Sequence, residues 1–354
     1  MAGVFFRKTP LIRGKSILSL RSTAAADSAA SAPSTASATK TKVSLKLEYL
    51  QVSGSFKDRG ISHMVRTLAV PGVERVVCSS GGNAGNAVAA AGERLGLPVD
   101  VYVPTTTLPM MIEKIRGNAD TTVHVQGENW NAANAHALEA IEKAGGVAGG
   151  VDGGKCIYIP PYDHPLIWEG NSSLVDELLE DCGGIDNVEQ FPQCIVLSVG
   201  GGGLLRGVQL GLERLGLTGR CEVFTVETEG SACFHAAKAA GEVVRLKSID
   251  SIATSLGALS VVPSCLESPV KTTAFTVSDD EALDACYAFA NEHKALVEPA
   301  CGAALALATK RPEAFVGISS AVFVVCGGSA VSLDMLAEYR TKIRDQAEQR
   351  LATQ

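Results

Sequence analysis

Two glycine-rich segments, each between an apolar run and an amphipathic run, restrict the possible folds of this chain more than any other feature. Ser198-Val-Gly-Gly-Gly-Gly-Leu follows the apolar residues 194–197 and precedes a helical pattern. Cys78-Ser-Ser-Gly-Gly-Asn-Ala-Gly follows a strand-like run at 75–78 and precedes a helical run at 87–95. A strand, a glycine turn and a helix in this order predict a parallel sheet with helices on its faces.

The same alternation continues along most of the chain. Strands are predicted at 43–47, 73–78, 99–103, 121–125, 194–199, 221–226 and 321–325. Helices are predicted at 87–95, 110–115, 131–144, 168–182, 279–292 and 333–351, with a glycine-rich loop at 145–154. Since 354 residues with 46% hydrophobic content suffice for more than one core, we predict an α/β protein of two domains.

Composition argues against several classes of function. A net charge of −7 without a long basic run speaks against a nucleic-acid partner. No apolar stretch approaches the roughly 20 residues of a membrane helix, so a soluble protein is expected. Ten cysteines without zinc spacing indicate a reducing compartment rather than a disulfide framework. None of the six histidines lies in H-E-x-x-H, so a metal hydrolase has little support.

One lysine lies where an amine is expected to be reactive. Lys57 is part of Ser53-Gly-Ser-Phe-Lys-Asp-Arg-Gly60, a turn that leads into an apolar pattern of helical period, which places it at a helix start. The helix dipole and partial burial both lower an ammonium pKa there. A neutral amine forms an imine with an aldehyde, which is how lysine enzymes use pyridoxal phosphate. An isolated lysine is more often a solvated surface residue, so the interpretation depends on the glycine segments.

Both glycine segments offer backbone N–H groups to an anion. The four consecutive glycines at 200–203 suit a phosphate at a helix N-terminus. The segment at 79–86 adds hydroxyls and an amide, a set suited to a carboxylate. The four-glycine segment follows neither the Walker A nor the dinucleotide pattern. Either segment alone is commonly just a tight turn, and a nucleotide- or NAD-binding α/β protein stays an alternative.

Six blocks of sequence occur together over nearly the whole chain. They are Lys46-Leu-Glu with Ser53-Gly-Ser-Phe-Lys-Asp-Arg-Gly60, Ser79-Ser-Gly-Gly-Asn-Ala-Gly85, Tyr158-Ile-Pro-Pro-Tyr-Asp-His-Pro-Leu-Ile-Trp-Glu-Gly170, Ser198-Val-Gly-Gly-Gly-Gly-Leu-Leu205, Val297-Glu-Pro-Ala-Cys-Gly-Ala-Ala304 and Val325-Cys-Gly-Gly-Ser329. With this collinear set the chain resembles the serine/threonine dehydratases (deaminases) of pyridoxal-phosphate fold type II, and most closely their stand-alone serine dehydratase branch.

The resemblance implies two open-sheet α/β domains of the tryptophan synthase β-like architecture. Residues 1–55 and 161–354 would form a large cofactor domain, with 22–41 as a low-complexity insert, and 56–160 a small domain with the substrate-carboxylate loop. The implied reaction is deamination of L-serine, and of L-threonine, by β-elimination of the hydroxyl, giving pyruvate or 2-oxobutanoate and ammonia. The implied assembly is a homodimer. A β-replacement enzyme or a racemase of the same fold is the alternative.

The resemblance also assigns site residues. Lys57 would hold the cofactor as a Schiff base and then remove the α-proton, with Ser80 as the second catalytic residue. Phe56 would pack on the ring and Asn83 would bond its 3′-oxygen. The phosphate would be bound by Gly200, Gly201, Gly202, Gly203 and Leu204, and the substrate by Ser79, Ser80, Gly81 and Asn83.

Cys326 and Gly81 are the positions that separate reactions within the family. Cys326 would contact the pyridine nitrogen, where aminotransferases have a carboxylate; the alternative for it is a buried apolar thiol. Many liver-type members carry alanine at the position of Gly81, so a less filled substrate loop is expected here. Racemases resembling this fold have a serine there, so racemisation is not expected as the main activity.

The resemblance also implies a monovalent-cation site at Glu227, Ser231 and Cys233. It would hold potassium through Glu227 and carbonyls near Ser231. Cys233 replaces the family's usual serine, and a thiol is a poor ligand for a hard cation.

The N-terminal residues 1–26 are basic and lack acids, which is typical of a mitochondrial transit peptide. However, Lys8-Thr-Pro-Leu-Ile-Arg13 resembles the opening of the mature dehydratase fold. We therefore predict that 8–20 is folded and that the protein is cytosolic, with the mitochondrion as the alternative.

Overall fold

The computed structural model describes residues 6–14, 41–144 and 155–352. Three sequence predictions lie wholly or partly outside these residues. They are the glycine-rich loop at 145–154, the insert at 22–41 apart from Thr41, and the second half of the folded segment predicted at 8–20.

Within the described residues the strands, in chain order, are β1 (Leu11–Arg13), β2 (Lys42–Lys46), β3 (Arg75–Cys78), β4 (Val99–Val103), β5 (Thr121–Val125), β6 (Cys156–Tyr158), β7 (Cys194–Ser198), β8 (Glu222–Thr228), β9 (Thr272–Val277) and β10 (Ser320–Val324). The helices are α1 (Lys57–Leu68), α2 (Asn83–Leu95), α3 (Pro109–Arg116), α4 (Trp130–Lys143), α5 (Pro165–Asp181), α6 (Gly203–Arg214), α7 (Cys233–Ala240), α8 (Ser264–Glu267), α9 (Asp279–His293), α10 (Pro299–Lys310) and α11 (Leu333–Ala352).

The strands form two sheets. The larger has the order β1-β2-β10-β7-β8-β9 and is parallel except for β1, which is antiparallel to β2. The smaller has the order β5-β4-β3-β6 and is parallel throughout. The predicted two-sheet α/β architecture is confirmed. In such sheets ligands bind where the carboxyl ends of the strands lie. The domain boundaries near 56 and 160 stay a prediction.

Helix α10 packs closely against α9 at Gly302. Residues 299–308 of this helix are all buried, and five of them are alanines. A β-carbon at Gly302 would lie 2.2 Å from the carbonyl oxygen of Ala282 and 2.6 Å from Sγ of Cys286, both on α9. Only glycine allows this approach, which fixes the N-terminus of α10 and the Glu298 that precedes it.

Most of the predicted strands and helices are confirmed within a few residues, but some elements were missed. The helix predicted from 87 begins at Asn83, so Asn83 lies in its first turn rather than in the loop. Strands β1, β6 and β9 and helices α7, α8 and α10 were not predicted. Helix α10 is apolar on all sides and therefore shows no helical period. Among the described helices, none combines the length and apolar character needed to cross a bilayer.

Candidate active site

The turn that carries Lys57 is bonded along its backbone to the segment that follows β10. Ser55 forms an antiparallel bridge with Gly327, and the Phe56 N–H donates to the Cys326 carbonyl at 3.1 Å. Gly328 N–H donates to the Gly54 carbonyl at 3.0 Å. Lys57 and Cys326, which are far apart in sequence, are therefore held in one place by main-chain bonds.

Lys57 is the first residue of α1, as predicted, and its side chain is half-buried among aromatic rings. Its Nζ donates to the Pro161 carbonyl at 2.6 Å and lies 5.3 Å and 5.9 Å from the ring centroids of Phe56 and Tyr162. Burial lowers the pKa of Lys57 to about 8. A minor but appreciable fraction of this amine is therefore neutral, and so nucleophilic, near physiological pH, far more than for a solvated lysine.

A buried ion network holds α1 in place directly behind Lys57. The Arg59 guanidinium is fully buried and donates to Glu48 at 2.7 Å from both Nε and Nη2, and to Glu177 at 2.7 and 2.8 Å. Lys46, also fully buried, lies 2.7 Å from Glu177. Removal of one partner would leave a buried charge unpaired, which typically costs about 3–5 kcal/mol. The network therefore orients the first turn of α1.

The glycine turn at 200–203 leads into α6, which begins at Gly203. A β-carbon at Gly201 would lie 2.3 Å from the Tyr162 ring, and Gly202 has φ +95°, so side chains are disfavoured at both. The first N–H groups of a helix have no intrahelical acceptor and can bind an anion. Tyr162 thus lies against the glycine turn on one side and near the Lys57 amine on the other.

These groups suit a phosphorylated aromatic aldehyde such as pyridoxal phosphate. The glycine turn matches the phosphate, the neutral lysine matches the aldehyde, and Phe56 offers a ring to stack on. Cys326 is buried, with its Sγ 3.5 Å from Oγ of Ser198 at the end of β7. Its thiol also forms a hydrogen bond with the thiol of Cys301. Burial raises the pKa of Cys301 well above its usual value. The predicted contact of Cys326 with a ring nitrogen stays a prediction.

The loop from Ser79 to Gly82 follows β3 at the carboxyl edge of the smaller sheet. The Ser79 hydroxyl lies 2.7 Å from Oδ1 of Asn134 and 2.9 Å from the Tyr158 hydroxyl. Oγ of Ser80 accepts from the Gly82 N–H at 3.4 Å. The Ser79 side chain therefore anchors the loop to Asn134 and Tyr158. The backbone of the loop remains for the predicted substrate contact.

Asn83 is engaged by a residue to which the sequence reasoning gave no role. Its Nδ2 donates to both carboxylate oxygens of Glu298, at 3.0 and 3.1 Å, and its Oδ1 accepts from the Ser329 N–H at 2.7 Å. Glu298 is buried and also accepts from the Ala330 N–H at 2.7 Å and from the Ser255 hydroxyl. A signal was present: Glu298 is an acid directly before Pro299 and a run of small residues, a place typical of a helix start.

The three residues predicted for potassium lie close together, but their groups are already engaged. Glu227 accepts from the N–H groups of Phe234 at 2.9 Å and His235 at 2.6 Å, at the start of α7. Cys233 Sγ donates to the Gly200 carbonyl at 3.3 Å, and the Ser231 hydroxyl lies 2.7 Å from that of Thr228. Burial raises the pKa of Glu227 to about 7. In the described part of the chain no group of three or more His, Cys, Asp or Glu side chains has a metal-binding arrangement. The cation site stays a prediction.

Comparison with known proteins identifies the family of this chain. The family model described as "Pyridoxal-phosphate dependent enzyme" matches residues 29–327. The chain is 41% identical over 313 residues to the human protein named L-serine dehydratase/L-threonine deaminase, covering 86% of this chain and 90% of that one. It is 37% identical over 317 residues to the catabolic L-serine/threonine dehydratase of Saccharomyces cerevisiae, covering 85% and 86%.

A solved structure gives the same result. The crystal structure of an L-serine ammonia-lyase from the fungus Rhizomucor miehei superposes with a TM-score of 0.79 at 33% identity, covering 96% of this chain and 99% of that one. Sequence family and architecture thus agree over most of the chain. The chain therefore belongs to the L-serine dehydratase/L-threonine deaminase family of pyridoxal-phosphate dependent enzymes.

Proposed function

We propose that this protein is a pyridoxal-phosphate dependent L-serine ammonia-lyase that also accepts L-threonine. It removes the β-hydroxyl and the amino group, giving pyruvate or 2-oxobutanoate with ammonia. The observation that carries the proposal is the placement of Tyr162 between the Lys57 amine and the glycine turn at Gly201. The amine, which would bind the aldehyde, and the glycine turn, which would bind the phosphate, therefore lie on two sides of one aromatic ring, an arrangement that suits the two ends of a single small cofactor.

Bound pyridoxal phosphate supplies an electron sink for the substrate α-carbon. Removing the α-proton is left to the protein, and Lys57 is the base we assign. Its pKa of about 8, lowered by burial, lies close to working pH, where a general base is most effective. The buried Arg59 network keeps the start of α1, and with it the amine, in a fixed place.

Substrate orientation is assigned to the first turn of α2 and the loop before it. The N–H groups of a helix N-terminus favour a carboxylate, and Ser80 and Gly81 lie directly before that turn. We assign the α-carbon of a substrate whose carboxylate is held there to the side of Lys57. Asn83, held by Glu298, is assigned to the 3′-oxygen of the ring.

Cys326 favours elimination over aminotransferase chemistry. It offers a buried thiol bonded to Ser198, whereas a carboxylate at this position would hold a proton on a pyridine nitrogen. A neutral partner suffices when the carbanion is short-lived, as in loss of a β-hydroxyl.

The test is an assay of the purified, cofactor-loaded protein. We expect pyruvate from L-serine and 2-oxobutanoate from L-threonine, each with one equivalent of ammonia. L-Alanine, which lacks a β-leaving group, is the matched control and should release none. Borohydride reduction followed by peptide mapping should place the cofactor adduct on Lys57. D-Serine as the main product from L-serine would show a racemase, and absence of a Lys57 adduct would contradict the cofactor assignment.

Cytosolic location and a homodimer are part of the same proposal. The N-terminal segment supports the former: Thr9 bonds Glu48 at 2.6 Å inside the Arg59 network, and β1 pairs with β2. Cleavage of a transit peptide near residue 26 would remove both. Localisation of a C-terminally tagged chain and light scattering of the purified enzyme test the two points, and mitochondrial import or a monomer would contradict them.

A further inference from the structure

The loop between β4 and α3 runs beside the predicted substrate loop. β3 and β4 are adjacent parallel strands, so the segments after them emerge at the same sheet edge. The loop after β4 is held by two backbone bonds. Thr105 N–H donates to the Gly127 carbonyl at 2.9 Å, and Thr107 N–H donates to the Pro104 carbonyl at 3.0 Å.

Thr107 is turned toward Gly81. It is half-buried, whereas its neighbours Thr106 and Leu108 are exposed. A β-carbon at position 81 would lie 2.6 Å from Cγ2 and 2.7 Å from Oγ1 of Thr107. Carbon atoms in contact lie about 3.5–4.0 Å apart, so the Thr107 side chain and a side chain at 81 exclude each other.

The hydroxyl beside Gly81 comes from Thr107, in the loop after β4. The Ser79 hydroxyl is directed toward Asn134 and Tyr158, and Ser80 Oγ accepts from within its own loop. Gly81 has no side chain. The methyl and hydroxyl of Thr107 take the volume that a residue at 81 would otherwise fill.

We propose that Thr107 is a specificity-determining residue that controls which β-substituents the substrate site accepts. The inference rests on the proposed function, because it takes the loop at Gly81 to bind the substrate. The Thr107 side chain narrows the space beside that loop, and L-threonine carries one methyl group more than L-serine. The enzyme consequently prefers L-serine, and the preference depends on the shape of Thr107.

The first test is the ratio of kcat/KM for L-threonine to that for L-serine. Thr107→Ala should raise this ratio about ten-fold or more, the usual discrimination for one methyl group in a pocket. Thr107→Val keeps the shape without the hydroxyl and should leave the ratio within about two-fold. Thr106→Ala, in the same loop but exposed, is the matched control and should not change it.

The second test does not depend on activity. Gly81→Ala should lower the melting temperature of the holoenzyme, because its methyl meets Thr107. Gly81→Ala combined with Thr107→Ala should recover most of that loss, since contacting residues do not behave additively. If the changes in melting temperature of the two single variants simply add in the double variant, the contact between positions 81 and 107 is overturned.

The two proposals fail in different ways. A wild-type protein that deaminates neither amino acid overturns the proposed function even if the two stability effects are coupled. A wild-type protein that deaminates L-serine, with an unchanged ratio in Thr107→Ala, overturns the inference about Thr107 and leaves the proposed function standing.

Discussion

The side-chain amide of Asn83 and the carboxylate of Glu298 face each other, with Nδ2 3.0 Å from one carboxylate oxygen and 3.1 Å from the other. Asn83 opens α2, which packs on the smaller sheet, and Glu298 directly precedes α10, which packs on the larger one. This pair therefore connects a helix of the smaller sheet to a helix of the larger sheet at the active site, and it fixes the direction of the Asn83 amide.

Glu298→Ala should weaken cofactor binding. The change leaves the Asn83 amide and the Ala330 N–H without their acceptor, and hydrogen bonds to a charged group contribute about 1.5–3 kcal/mol each. An Asn83 amide without this acceptor is no longer held toward the ring 3′-oxygen, and loss of the Asn83 bond to the cofactor corresponds to about a ten-fold rise in the Kd for pyridoxal phosphate. The measurement is a fluorescence titration of the apoenzyme. Glu313→Ala, at an exposed acid, is the control, and an equal Kd in both variants would show that Glu298 has only a structural role.

Lys57→Ala should abolish deamination while the fold persists. The residue supplies both the covalent attachment and the base, so a loss of about a thousand-fold or more is expected. The visible absorbance band of the bound cofactor should disappear as well. Far-ultraviolet circular dichroism and the melting temperature serve as controls for folding. Retained turnover would contradict the assignment of Lys57.

The Lys57 amine should react with an amine-selective reagent at lower pH than the other lysines. Burial lowers its pKa to about 8, so its neutral, nucleophilic form becomes the major one above that pH. Lys143 is the control, because a hydrogen bond from its ammonium to Glu139 raises its pKa. Mass spectrometry of the apoenzyme after brief acetylation from pH 6 to 11 would measure both profiles. Coincident midpoints would mean that Lys57 is an ordinary solvated lysine.

Substitution of Cys326 should distinguish a ring contact from a core thiol. Cys326→Ser keeps a small neutral hydrogen-bonding group and should retain β-elimination within about ten-fold, whereas Cys326→Asp introduces a charge that holds a proton on a ring nitrogen. We expect the aspartate variant alone to change the visible spectrum during turnover with L-serine. Cys182→Asp introduces the same charge at a half-buried thiol that is distant from Cys326 in the sequence, and it serves as the control. An unchanged spectrum in a folded, cofactor-loaded Cys326→Asp protein would leave Cys326 as a core residue.

Potassium, if it binds at Glu227, should raise activity most at alkaline pH. Burial raises the pKa of Glu227 to about 7, so the carboxylate that binds a cation predominates above that pH and is lost below it. Activity with L-serine in potassium chloride should exceed that in tetramethylammonium chloride at pH 8.5, with the difference shrinking at pH 6. Equal activity at both pH values would remove the predicted cation site.

The sequence predicted those features that depend on local chemistry. The turn at Lys57, the glycine turn before α6 and most strands carry their signals within a few residues, so they were found. What it did not predict depends on packing between distant segments. Glu298 lies next to Asn83, and Thr107 next to Gly81, only because the sheets bring their loops together. Helix α10 is buried all round, so its sequence lacks the periodic alternation of polar and apolar residues by which an amphipathic helix is predicted.

The position of β10 in the middle of the larger sheet sets an order of assembly. Val43 of β2 takes Ala321 as its register partner, and Ala321 also pairs with Cys194 of β7. During synthesis β2 emerges early. Its edge that pairs with β10 stays unpaired until nearly the whole chain has left the ribosome. The smaller sheet uses only strands between 75 and 158 and has no such delay. Because the Phe56 N–H donates to the Cys326 carbonyl just beyond β10, the backbone bonds between the Lys57 turn and this segment form only when this late strand inserts. Chains stalled before residue 320 should therefore resist protease across the smaller sheet yet fail to retain the cofactor.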